Sequence, residues 1–124
     1  MKIKILAVII FVLTASAVFA NTYFLDRKIS KLLDQVDGLI IDEENIEKSE
    51  NEAKAIWKKF KDEETYMSLS VNHDDLTSIE EILAELIGYL EIGDADEARV
   101  IKNRLSDALS HLRRLSGVNL DAVI

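Results

Sequence analysis

Residues 5–25 carry no charged side chain, and this run restricts the chain more than any other feature. At 1.5 Å per helical residue it extends about 30 Å, the thickness of a bilayer's hydrocarbon core. Lys2 and Lys4 precede it, an apolar stretch follows over 5–13, and smaller residues occupy 14–20. Basic, apolar, then small is also the order of a secretory signal, and Ala15-Ser16-Ala17 and Val18-Phe19-Ala20 both offer residues that a signal peptidase accepts. The residues thus leave two outcomes: an uncleaved single-pass anchor, or a domain secreted after cleavage. Apolar and aromatic character persists past both cleavage points through Tyr23, Phe24 and Leu25, with Arg27 and Lys28 just beyond, which favours the anchor. Basic residues are nearly balanced on the two flanks, so they do not orient the segment by themselves. The very short amino-terminal flank favours leaving that end in the cytoplasm, with the remainder extracytoplasmic; the reverse orientation is the weaker alternative.

This reading divides the chain into residues 1–25, a signal-anchor or transmembrane helix, and 26–124, an acidic helical domain. The net charge of −8 understates the acidity of the second part, because two of the 15 basic residues, Lys2 and Lys4, precede residue 25 and none of the 23 acids does. A surface of that sign repels phosphate backbones, so no nucleic-acid partner is expected. The absence of cysteine excludes disulfides, thiolate zinc sites, iron–sulfur clusters and thiol catalysis.

Past residue 25 the apolar pattern is helical. Ile29, Leu32, Leu33, Val36, Leu39 and Ile40 follow three- and four-residue steps and continue the stripe of the membrane segment. Extending the frame places Glu43 and Glu50 where apolar residues belong, so a break is expected near 42–45. A second helix carries Ile46, Ala53, Ile56, Trp57, Phe60 and Met67 on one side and Lys54, Lys58, Lys59 and Lys61 largely on the wet side. Polar residues interrupt the stripe around Asn72-His73-Asp74-Asp75, where Thr77-x-x-Glu80 or Ser78-x-x-Glu81 resembles a capping box. The third helix is expected to begin within this stretch, a kinked continuation of the second being the alternative, and it presents Leu76, Ile79, Leu83, Leu86 and Leu90, reinforced by Ile82 and Ile87. Gly93 should end it in the left-handed conformation, with Asp94 and Glu97 starting the next helix in a tight hairpin. The fourth repeats Ala98, Ile101, Leu105, Ala108, Leu112 and Leu115; Gly117 is expected to close it, and Val118, Leu120, Val123 and Ile124 to fold back on the bundle. The fold class expected is therefore all-α: an N-terminal membrane-spanning helix followed by a small antiparallel helical bundle with a C-terminal helical hairpin.

Chemistry is sparse. His73 stands beside Asp74 and Asp75, and His111 lies across the hairpin in sequence, but the Glu-x-x-His pairs of a helical metal centre are missing, since Ser70 and Ala108 occupy the positions three before each histidine. No metal or cofactor is expected, and His73 reads as a residue of junction capping and hydrogen bonding. The acids Asp42, Glu43, Glu44, Glu47, Glu50 and Glu52 lack the ligand spacing and glycine turn of a calcium loop and read as a solvated face. No phosphate loop or nucleophile elbow is present, so the chain is not expected to be an enzyme. Trp57 reads first as a core anchor and second as a binding surface.

Trp57, the Leu69-Ser70-Val71-Asn72-His73-Asp74-Asp75 junction, the Leu86-Ile87-Gly88-Tyr89-Leu90 arm, the Ala108-Leu109-Ser110-His111-Leu112 stretch and the apolar tail, together with the anchor, resemble a family of small Gram-positive bacterial membrane-anchored helical proteins, domain of unknown function 4363. The family pattern of a tryptophan, then a junction histidine followed two residues later by an acid, is matched by Trp57, His73 and Asp75. Members often carry a further tryptophan earlier in the second helix, where this chain has Glu50, Asn51 and Glu52. The resemblance implies architecture and location but no activity. Two functions are weighed: a noncatalytic membrane-anchored module whose partner, beyond the lipid bilayer, is another membrane protein or a second copy of itself; and a secreted or anchored domain binding a small ligand or cation. Trp57, His73, Asp75 and His111 are the candidate partner or ligand contacts.

Overall fold

Uncharged apolar residues followed by an amphipathic stripe, with no proline to interrupt them, give one long helix, α1 (Lys2–Asp37). The computed structural model describes the backbone of residues 2–123 and side chains through Leu115. Over its 36 residues α1 rises about 54 Å. Its apolar beginning packs on nothing in the bundle, and its first buried residue is Leu25. From there Leu25, Ile29, Leu32 and Val36 face the core.

Three further helices complete the described residues: α2 (Ile46–Met67), α3 (His73–Glu91) and α4 (Ala95–Val123). Short connections force neighbours to run antiparallel. Helix α1 packs on α2 and α4, and α3 packs on the same two, so the four form an up-down-up-down bundle with α1 and α3 on one diagonal. Polar pairs fix the register. Arg113 reaches Asp26 at 3.0 Å and Ser106 reaches Asp37 at 2.7 Å between α4 and α1, while Lys28 meets Glu63 at 2.6 Å between α1 and α2.

The all-helical expectation holds, and the junctions correct its details. Helix α1 stops at Asp37, ahead of the break expected at 42–45, and residues 38–45 form the connection. Leu39 and Ile41 are buried there while Ile40 is 75% exposed, an in-out alternation that a continued helix would not produce. These two residues complete the core where α1 has ended. Ser49, buried on α2, donates to the Ile40 carbonyl at 2.9 Å and accepts from the Asp42 N–H at 3.2 Å. Arg99 on α4 holds the same loop from the other side, through the Ile41 carbonyl at 3.1 Å and Glu43 at 3.0 Å.

Asn45 caps α2 by accepting from the Lys48 N–H. Helix α3 begins before either expected capping box: Asn72 is the cap, accepting from the Asp74 N–H at 3.0 Å, so Thr77 and Ser78 lie inside the helix. The hairpin expected at Gly93 is present. Gly93 has φ +77°, its N–H bonds to the Leu90 carbonyl and the Asp94 N–H to the Tyr89 carbonyl, which satisfies two orphan acceptors of the helix end. Asp94 then accepts from the Glu97 N–H at 3.2 Å, opening α4.

Helix α4 buries Ala98, Ile101, Leu105, Leu109 and Leu112, with Ala108 half-buried. The strict heptad seam drifts because a straight helix turns every 3.6 residues, which brings Leu109 inward and leaves Leu115 38% exposed. Gly117 does not end the helix, which continues to Val123; an interior glycine costs about 1 kcal/mol and so weakens a helix without stopping it. The fold-back expected of Val118, Leu120, Val123 and Ile124 lies outside the described side chains.

Candidate functional site

The bundle's most specific polar geometry lies where α1 leaves the core. Tyr23 and Phe24 are both exposed and meet edge to face, with ring centres 5.7 Å apart. One turn earlier, Asn21 accepts a hydrogen bond from the Tyr66 hydroxyl at 3.0 Å and donates to Ser70 Oγ at 2.8 Å. The α2–α3 turn is thus tied to the end of the apolar segment, and its Leu69 is 81% exposed beside it. Lys28 sits 5.1 Å from the Tyr66 ring centre, adding a cation–π contact to its bond with Glu63. Within the apolar segment, the hydroxyls of Thr14 and Thr22 donate to the carbonyls of Ile10 and Val18 at 2.8 and 3.0 Å. In a helix facing hydrocarbon, such internal bonds are how a hydroxyl is satisfied.

The residues singled out from sequence are distributed differently. Trp57 is half-buried at the edge of the core and lines an α2–α3 groove of about 530 Å³ with Lys54, Ala84, Ile87, Gly88 and Glu91. Lys61 lies 5.2 Å from its ring centre. Lys61 also bonds to Glu80 and Glu64, and the Glu80 hydrogen bond above all holds its ammonium above the ordinary value of 10.5. His73 is the exposed first residue of α3, with Asp75 half-buried in the same turn. The capping assigned to His73 belongs to Asn72. Along α3, His73 precedes the Ile87 and Gly88 that flank Trp57 by about 21 Å, so Trp57 and His73 do not share a pocket. His111 is exposed on α4. Among the described residues no three His, Asp or Glu side chains converge as metal ligands would.

Asn21, Tyr66, Ser49 and Arg99 were not singled out from sequence. Asn21 had one legible signal, as a carboxamide inside an otherwise apolar run; Ser49 had another, a small polar residue at a stripe position between Ile46 and Ala53. Nothing in the spacing of Tyr66 or Arg99 discloses partners on other helices.

One helix of this fold, α1, is long and apolar enough to cross a membrane. No curated protein and no solved structure gave a significant match to the chain. The family model described as a domain of unknown function, DUF4363, matches residues 18–123, from the apolar segment through all four helices. The chain accordingly belongs to the DUF4363 family.

Proposed function

We propose that this protein is a noncatalytic, membrane-anchored interaction module: a single-pass helix holds a small acidic bundle at the extracytoplasmic surface, where it docks another membrane protein or a second copy of itself. The observation that carries the reading is the unbroken course of α1, whose apolar beginning is exposed and whose last third is bundle core. With no flexible linker between them, the bundle is held at fixed height and orientation above the bilayer. Co-anchoring also raises the effective concentration of a weak partner in the same membrane.

Carboxyl-tagged full-length chain in a Gram-positive host tests this. The expected result is an intact amino terminus, resistance to carbonate extraction, digestion by protease added to protoplasts, and a defined crosslinked species in intact membranes. A terminus at Val18 or Asn21 with the protein in the medium would replace the anchor by a secreted domain. Protection from protease until lysis would reverse the orientation.

A secreted or anchored domain binding a small ligand or cation is the second reading, supported by the α2–α3 groove beside Trp57. Because Trp57 is the chain's single tryptophan, a ligand in that groove would change the intrinsic fluorescence.

A further inference from the structure

Five acids stand at the end of the bundle far from the apolar segment: Asp42, Glu43 and Glu44 in the α1–α2 loop, and Asp94 and Asp96 where α3 passes into α4. At the opposite end, where acids and cations are mixed, one groove is locally basic. Between α1 and α2 lies a groove of about 250 Å³ lined by Phe24, Arg27, Lys28, Lys31, Lys59 and Glu63. Four cations there face one carboxylate, and that carboxylate is already paired with Lys28 at 2.6 Å. Among the described residues no ion pair involves Arg27, Lys31 or Lys59. We propose that this groove binds the phosphate headgroup of an anionic bilayer lipid. The proposal rests on the anchor reading above and adds a ligand to it.

Depth supports the assignment. If the hydrocarbon ends near Phe24, Arg27 and Lys28 stand about 5 Å and Lys31 about 10 Å farther along α1. The headgroup layer on one side of a bilayer is about 5–8 Å thick, so Arg27 and Lys28 fall at phosphate level, Lys31 stands just beyond it with a side chain long enough to reach back, and the exposed Phe24 ring remains at the acyl boundary. Lys59 separates this groove from an ordinary charged flank. It comes from α2, and the Lys28–Glu63 pair and the Asn21–Tyr66 bond bring that helix alongside. The other acids near this end do not line the groove: Asp26 is paired with Arg113 at 3.0 Å, Glu64 on α2 with Lys61 at 3.3 Å, Asp62 on α2 is absent from the lining, and Asp74 and Asp75 begin α3, the helix diagonal to α1. The volume also suits a phosphate ester better than a drug-sized molecule, whose pockets start at about 300 Å³.

The chain has no cysteine, so Ala20→Cys, exposed one turn below Phe24, accepts a single bimane probe. The labelled full chain is reconstituted in phosphatidylcholine vesicles containing dibrominated phosphatidylglycerol or dibrominated phosphatidylcholine at equal fraction. Phosphatidylglycerol should quench about twofold more strongly, since basic residues near the surface attract anionic lipid. Arg27→Gln/Lys31→Gln/Lys59→Gln should bring the two lipids to parity, Lys59→Gln alone should remove a clear part of the preference, and Lys48→Gln/Lys102→Gln should leave it intact. Equal quenching in the parent chain, or a preference unchanged by Lys59→Gln, would overturn the proposal. Abolition by millimolar glycerol phosphate would overturn it too, by making the groove a site for free phosphate esters. Failure of the anchor is recognised separately, as absence of quenching by either lipid together with release by carbonate, and would remove both readings.

Discussion

Tyr66 donates its hydroxyl proton to the side-chain oxygen of Asn21 across 3.0 Å, joining the last turn of α2 to α1 four residues before the first core residue, Leu25. The same Asn21 donates to Ser70, so one carboxamide holds both sides of the α2–α3 turn. Tyr66→Phe keeps the ring and removes the donor. In the detergent-solubilised full chain it should lower stability by about 1 kcal/mol, the net value of one such bond. Asn21→Ala, which loses both bonds, should cost more. A melting temperature unchanged by either substitution would show that the turn is held by packing alone.

Two glycines on the same hairpin should respond with opposite sign. Gly93 has φ +77° and open space where a Cβ would stand, so Gly93→Val is strained by backbone conformation and should destabilise by about 1 kcal/mol or more. Gly88 lies within α3 with equally open surroundings, and Gly88→Ala should stabilise by about 0.5–1 kcal/mol through helix propensity. Thermal melts of the two variants beside the parent decide the matter.

Ser49→Ala removes a hydroxyl that is buried and bonded in both directions, leaving the Ile40 carbonyl and the Asp42 N–H without it. The cost should be about 1–3 kcal/mol, and amide exchange should quicken in residues 38–45 before it does in α3. Uniform acceleration across the bundle would mean that the loop has no independent role.

Lys61 gives a signed pH dependence. Its ammonium is held above 10.5 chiefly by the hydrogen bond to Glu80, with Glu64 adding to it. A raised folded-state pKa means that this group's contribution is complete below its unfolded value and is lost as pH rises through the folded one. The stability difference between parent and Lys61→Gln should therefore be constant near neutrality and shrink above pH 10.5. A difference that instead shrank on acidification from pH 8 to 6 would assign the effect to another group.

His73 and His111 are exposed, and His73 is not the cap of α3. His73→Ala should leave the melting temperature nearly unchanged, and zinc or calcium should not raise it. Saturable stabilisation by either metal, abolished by His73→Ala, would establish a site that the described geometry does not contain.

Local patterning determined much of this protein. A charge-free run of sufficient length, stripes of leucine and isoleucine at helical spacing, and a glycine followed by Asp94 and Glu97 specify elements through interactions within one or two turns, and α1, α3 and the Gly93 hairpin followed from them. The ends of elements were less legible. Whether α1 stops at Asp37 or runs farther depends on Ser49 and Arg99 receiving the loop from α2 and α4, which no local spacing encodes. The candidate sites diverged for the same reason. Trp57, His73, Asp75 and His111 stood out by residue type, yet the helix register sets His73 about 21 Å along α3 from the Ile87 that lines the groove with Trp57. Only packing could bring Lys59 beside Arg27, or Tyr66 beside Asn21, because both arrangements require α2 to return antiparallel along α1 at one particular register. Helix propensity and amphipathic pattern act over a few residues, whereas register is decided by the whole core at once.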